Sequence, residues 1–251
     1  MVSFWSRDRT REPRTPPGVR LYAVGDIHGH DMLLRAMLEA IRSDIEERPK
    51  RRNIVVFVGD LIDRGPDSAI VVERLRTLEA PFRPVFLTGN HEEVLLRILE
   101  GNDGVVRDWL RFGGLECAAS YGLDPSVLRN ASDRAAGEMV RKAIPGAHRS
   151  FLRGFADSFA AGDYLFVHAG VRPGVPIEEQ SITDLRWIRS PFLEHEGRHP
   201  KVVVHGHTIS SEVECLPGRI GIDTGAYRSG ILSAIALDGC EQRIIQVGGQ
   251  Q

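Results

Sequence analysis

At 251 residues, with 42% hydrophobic and 26% charged side chains, the chain is long enough to bury a sizeable core and too apolar for wholesale disorder. Its formal net charge of −2 removes any electrostatic case for nucleic acid or an anionic membrane as a partner. The three cysteines, Cys117, Cys215 and Cys240, are widely spaced with no CxxC pair, which excludes a disulfide framework and suits a reducing, cytoplasmic location.

In chain order, residues 1–19 are charged, proline-bearing and without the apolar stretch of a secretory signal, so they are expected to form a flexible arm before a single domain over 20–251. Five short apolar runs then each stop at a polar cluster: "RLYAV" before "GDIHG", "IVVFV" before "GDLIDRG", "PVFL" before "TGNHE", "YLFV" before "HAG", and "VVV" before "HGHT". Strands whose carboxyl ends all meet polar residues place a binding site beyond those ends. Residues 31–47 and 67–79 carry helical periodicity, with Asp31 expected to cap the first, so strand, loop and helix alternate as in an α/β fold. Residues 92–160 are mostly helical in pattern with no convincing strand and are expected to form a cap over the strand ends. From 219 onward, "RIGIDTG", "ILSAIALDG" and "QRIIQVG" read as an antiparallel meander. No apolar run reaches the roughly 20 residues of a spanning helix.

Singly, each polar cluster is ordinary turn chemistry. Together, Asp26, His28, Asp60, Asn90, His168 and His207 put oxygen and imidazole donors just past five separate strands. That donor set suits Mn²⁺, Fe or Zn²⁺ better than the all-oxygen shells of Ca²⁺ or Mg²⁺. Six donors exceed what one catalytic ion with an open position takes, but they fit two ions sharing a carboxylate, with Asp60 as the natural bridge and a hydroxide between the ions as nucleophile. His205 shares the stretch with His207 and reads as its neighbour. His30 matches no ligand position, and His148, His195 and His199 lie in polar stretches that read as solvated.

Rival chemistries fail on spacing. Six positions after the cysteines stand Leu123, Gly221 and Gln246, so no Cys-x5-Arg loop exists, and no lysine follows a glycine as a P-loop requires. "DTG" occurs once, at 223–225, where an aspartic protease needs two copies; Asp223 reads as a strand-end residue near the metal site.

The series "GDIHG", "GDLIDRG", "GNHE", "HAG" and "GHT" resembles the phosphoprotein phosphatase branch of the calcineurin-like metallophosphoesterases from about residue 20 to 238, and "DLRWIRSPF" and "IDTGA" resemble its bacterial members related to the phage lambda phosphatase. The resemblance implies a four-layer α/β/β/α sandwich and a dinuclear centre, most simply two Mn²⁺, that hydrolyses phosphate monoesters by in-line attack. It places Asp26 and His28 on one metal, Asp60 between the two, and Asn90, His168 and His207 on the other. It further implies that His91 is the general acid oriented by Asp63, and that Arg64, Arg189 and Asn90 bind the substrate phosphate. The expected substrate is a phosphoserine/phosphothreonine protein, with dual specificity open. The alternative is a symmetrical dinucleoside tetraphosphatase or related nucleotide pyrophosphohydrolase, for which Trp109, Arg111, Phe112 and Tyr121 are candidate rim residues. A catalytically inactive scaffold is the minor reading, and it predicts an eroded ligand set that the sequence does not have.

Overall fold

The structure is a computed structural model that describes residues 12–249. The chain runs β1 (Val19–Val24), α1 (Asp31–Glu46), β2 (Arg52–Phe57), α2 (Ser68–Arg76), β3 (Arg83–Phe86) and α3 (Asn90–Leu99). A helical stretch follows: α4 (Val106–Trp109), a π-turn at Leu110–Gly114, α5 (Leu115–Ser120), α6 (Pro125–Asn130), α7 (Asp133–Ala143) and α8 (Gly146–Arg153). Then come β4 (Ser158–Ala161), β5 (Tyr164–Val167), α9 (Ile182–Trp187), β6 (Val202–His205), β7 (Glu214–Cys215), β8 (Arg219–Gly221), α10 (Ala226–Ser229), β9 (Ile231–Asp238) and β10 (Glu241–Gly248).

Two five-stranded sheets result, ordered β10-β9-β1-β2-β3 and β4-β5-β6-β8-β7. The alternation of side chains along each strand decides the layering. On β1, Leu21 and Ala23 join Ile54, Val56, Phe166, Val204 and Ile235 in the core between the sheets. Tyr22 and Val24 face the opposite way, into the core beneath α1, α2, α3 and the helical stretch. The second sheet turns Leu165, Val167 and Val203 outward onto Leu185, Ile188 and Phe192 around α9. Helices, sheet, sheet and a thin helical layer therefore form the four-layer sandwich expected from the motifs.

All five polar clusters leave the carboxyl ends of the parallel strands β1, β2, β3, β5 and β6. Four expectations need correction. The helical segment ends at Arg153, and Ser158–Ala161 is an edge strand paired antiparallel with β5, which its short alternating "SFAA" did not signal. The meander holds for β9 and β10, but β8 lies in the other sheet, parallel to β6. Asp31 caps nothing: it is buried and takes both Nε and Nη2 of Arg74, the latter at 2.9 Å. Finally, the arm is tied down as far back as residue 14, since Arg14 N–H donates to Asp163 and Thr15 N–H to Gly239 O; residues 1–11 lie outside the described residues.

Candidate metal centre

Among the described residues, the non-glycine residues with positive φ are His28, Asp60, Asp63, Arg64 and His207. Left-handed backbone costs such residues energy and persists where surrounding structure holds it, typically at functional sites. Here all five stand in the polar clusters, so the loops are bent to aim side chains at a common point. Close approach also demands glycine. A Cβ on Gly206 would lie 2.1 Å from Asp26 Oδ1, and one on Gly59 would lie 2.6 Å from Gly89 N.

Lone pairs converge there. His168 Nδ1 meets Val58 O at 2.9 Å, and a carbonyl only accepts, so Nδ1 carries the proton and Nε2 is bare. That bare Nε2 faces Asn90 Oδ1 at 2.9 Å and Asp60 Oδ1 at 3.4 Å. His28 repeats the device: Nδ1 donates to Ile62 O at 2.9 Å, leaving a buried Nε2 with no hydrogen-bond partner, 3.6 Å from Asp60 Oδ2 and 4.0 Å from Asp26 Oδ2. His207 Nδ1 lies 2.8 Å from Asn90 Oδ1, and its backbone N–H donates to Asp26 Oδ2 at 3.1 Å.

Electrostatics agree with the geometry. Burial holds the imidazoles of His28 and His168 below their usual range and that of His207 at about 3, so all three keep the neutral form that ligates. Burial, then the charges of Asp223 and Asp60, push the Asp26 carboxyl far up. Burial acts the same way on Asp60, but that carboxylate is held well below its usual range by the imidazole neighbours, chiefly the imidazolium of His91, the ring among them that is pushed up. Bare imidazole nitrogens and carboxylate oxygens packed without enough positive charge are what divalent cations neutralise, and the donor set fits them.

The donor atoms group into two triads sharing Asp60: His28, Asp60 and His91, and Asp60, His168 and His207, each with its atoms within 4.8 Å of one another. The second is the expected one with Asn90 beside it. The first contains His91 where the sequence placed Asp26. His91 differs from the other rings, because its Nδ1 is 2.6 Å from Asp63 Oδ2 and its Nε2 is 3.2 Å from Arg64 Nη2. Arg64 is half-buried in the same loop. Arg189 is exposed beyond α9, close enough that its charge adds to the burial that depresses His168 and His207.

Two residues matter more than their sequence context indicated. Glu92 is fully buried and accepts from the N–H groups of Gly89 (2.9 Å), Asp60 (2.8 Å), Leu61 (2.8 Å) and Ile62 (3.3 Å), so one carboxylate fixes the loop that carries Asp60. Burial and the Asp60 charge push it up to about 7. Its signal was the last letter of "GNHE". Glu92→Ala is expected to cost about 3–5 kcal/mol, because several buried donors lose their acceptor together. Urea unfolding checks this, and a midpoint equal to wild type contradicts the role. Trp109, a candidate rim residue or else part of the packing of the helical cap, is buried and donates Nε1–H to Asp63 Oδ2 at 3.0 Å, steadying the carboxylate behind His91. Tyr121 also packs inward, its hydroxyl 2.9 Å from His148 Nδ1, while Phe112 stays 58% exposed. His148, read as solvated, is therefore a buried link whose Nε2 lies 3.0 Å from Glu73. His195 and His199 are half-buried, their ring centroids 4.9 Å apart and their planes tilted by 44°, rather than free in solvent. His205 is buried against Phe192 outside both triads, as expected of a neighbour. Open hollows at α2 and between α1 and α2 touch none of the site residues.

The model of the calcineurin-like phosphoesterases matches residues 19–230. The chain belongs to the calcineurin-like phosphoesterase family. It is thus a hydrolase of phosphoric esters, in a family that works with a dinuclear metal centre. Among curated relatives, this phosphoesterase is 27% identical over 233 residues to the asymmetrical bis(5'-nucleosyl)-tetraphosphatase PrpE of Anoxybacillus flavithermus, covering 84% of this chain and 88% of that protein. It is 26% identical over 227 residues to serine/threonine-protein phosphatase 2 of Escherichia coli, covering 85% and 90%. The crystal structure of the cold-active protein-tyrosine phosphatase of a psychrophilic Shewanella aligns with a TM-score of 0.58 at 15% identity, covering 94% of this phosphoesterase and 83% of that chain, which supports the shared fold alone. Among the described residues, no helix is long and apolar enough to cross a membrane.

Proposed function

We propose that this phosphoesterase removes phosphate from phosphoserine and phosphothreonine in proteins. The observation that carries the reading is the 2.6 Å contact between His91 Nδ1 and Asp63, backed by Trp109. An alkoxide is a poor leaving group and needs a proton as the P–O bond breaks, whereas the phosphate released from an anhydride needs little help. A buried imidazole oriented by a carboxylate supplies that proton from Nε2. Burial lowers such a ring, but the Asp60 charge and the Asp63 hydrogen bond prevail and push His91 up to about 9. Cations held by Asp60 would cancel its share, leaving Asp63 as the lasting support. The 3.2 Å contact between Arg64 Nη2 and His91 Nε2 requires a neutral ring, because a protonated Nε2 has no lone pair to accept with. A phosphate oxygen between the two groups accepts from both and resolves this conflict.

In this reading Asp26, His28 and Asp60 hold one cation and Asp60, Asn90, His168 and His207 the other. Asp26 is preferred to His91 because His91 has both ring nitrogens engaged and is the ring most easily protonated. A bound pair of divalent ions, Mn²⁺ in our assignment, supplies Lewis-acid stabilisation and a water made nucleophilic at neutral pH. Arg64 and Arg189, with Asn90, bind and orient the phosphoryl oxygens, a task for which guanidinium forks are suited. Arg64→Ala is expected to weaken inhibition by inorganic phosphate by about 1.5–3 kcal/mol; an unchanged inhibition constant removes it from the clamp.

A second reading, hydrolysis of dinucleoside polyphosphates, is favoured by Phe112. It is 58% exposed, carries the Arg111 guanidinium 5.7 Å from its ring centroid, and precedes Gly113, whose carbonyl accepts from Arg64 N–H. An exposed aromatic beside the clamp suits a base. Initial rates with Mn²⁺ on a phosphoserine peptide, a phosphotyrosine peptide and diadenosine tetraphosphate decide the matter. The highest kcat/KM is expected on phosphoserine, and a clear preference for the dinucleotide overturns the reading.

A further inference from the structure

We propose that Tyr227 is a positioning residue that holds Arg64 in its phosphate-gripping pose through the face of its ring; the inference rests on the reading of Arg64 as a phosphate clamp. The Arg64 guanidinium carbon lies 4.4 Å from the Tyr227 ring centroid. The same ring stands at 85° to the imidazole of His28, with centroids 5.4 Å apart. Tyr227 therefore touches a phosphate-binding and a metal-binding candidate at once.

Arg64 needs such support. Its backbone is left-handed at φ 68 and is fixed by donation from its N–H to Gly113 O at 3.0 Å, but its side chain is half-exposed, with one contact to the edge of His91 at 3.2 Å. A half-exposed guanidinium on a long stem samples other rotamers unless an anion or an electron-rich face holds it. The negative face of a tyrosine ring supplies that attraction before substrate arrives. Tyr227 is in turn rigidly presented. It sits in the single turn α10, bounded by Gly225 at φ 67 and Gly230 at φ 70. Asp223 Oδ1 accepts from Gly225 N–H at 2.9 Å, and Ser229 Oγ–H donates to Thr224 O at 2.8 Å. Asp223, which the sequence placed near the metals without a task, thereby helps to frame the turn.

The test uses the full chain loaded with Mn²⁺, p-nitrophenyl phosphate as substrate and inorganic phosphate as inhibitor, with metal per chain measured for every variant. Tyr227→Ala is expected to raise the phosphate inhibition constant and KM by roughly 2- to 30-fold, the range of a cation–π contact, with a smaller change in kcat and unchanged metal content. Tyr227→Phe keeps the ring face and is expected to stay within about twofold of wild type. Tyr227→Leu keeps bulk without a ring and is expected to behave as Ala does, and it replaces the Ala variant should that fail to fold. In the Arg64→Ala background the loss of the ring is expected to add nothing. Equal losses in both backgrounds, or a Phe variant as impaired as the Ala variant, overturn the inference while leaving the clamp intact. An Arg64→Ala variant with unaltered phosphate inhibition overturns the clamp and this inference together.

Discussion

Asp60→Asn is expected to lower turnover of p-nitrophenyl phosphate by more than ~100-fold and to strip bound metal, since substitutions of mere outer partners of metal ligands already cost 10- to 100-fold. Asp60 is where the two donor triads meet: Oδ1 is 3.4 Å from His168 Nε2 and Oδ2 is 3.6 Å from His28 Nε2. Two divalent ions about 4 Å apart repel by ~4 kcal/mol even at the dielectric of water and by more in a buried site, so the charge between them is indispensable. Asparagine keeps the shape, loses that charge and turns an NH₂ group toward one of the rings. The fold is expected to survive, because Glu92 holds the loop through backbone N–H groups that the substitution does not touch. Elemental analysis alongside the rate checks this, and wild-type rate with full metal content contradicts the shared-ligand role.

His91→Ala is expected to slow phosphoserine peptide hydrolysis by ~10²–10⁴-fold, the usual worth of a positioned general acid. On p-nitrophenyl phosphate, whose phenolate leaves without a proton, the loss is expected to stay within about tenfold. The contrast between the two substrates is the signature. Equal losses on both identify His91 instead as a metal ligand, which its place in the first donor triad allows geometrically. Metal content distinguishes the two roles, since a lost ligand depletes it and a lost acid does not.

The site was legible in the sequence because its donors sit at fixed short offsets past strands, where local chemistry and tertiary position coincide. Asp26, Asp60, Asn90, His168 and His207 each follow an apolar run by a few residues, and the parallel strands bring those ends together. What stayed hidden depends on partners far along the chain. Asp31 looks like a helix cap until Arg74, 43 residues later, comes to face it. His148 lies among polar residues in sequence and is buried only because Tyr121 and Glu73 pack over it. The edge strands Ser158–Ala161 and Glu214–Cys215 are too short for an alternating pattern to stand out. Trp109 carries no local sign of its task and Glu92 only its place at the end of "GNHE", because holding Asp63 and the Asp60 loop is a matter of which surfaces the fold brings together.

The central claim is that six donors from five loops enclose a pair of cations around Asp60. Equilibrium dialysis of the metal-stripped full chain against Mn²⁺, followed by elemental analysis, tests it most directly. Two ions per chain are predicted for the wild type, and a plateau at one ion, or no retention above buffer, contradicts the claim.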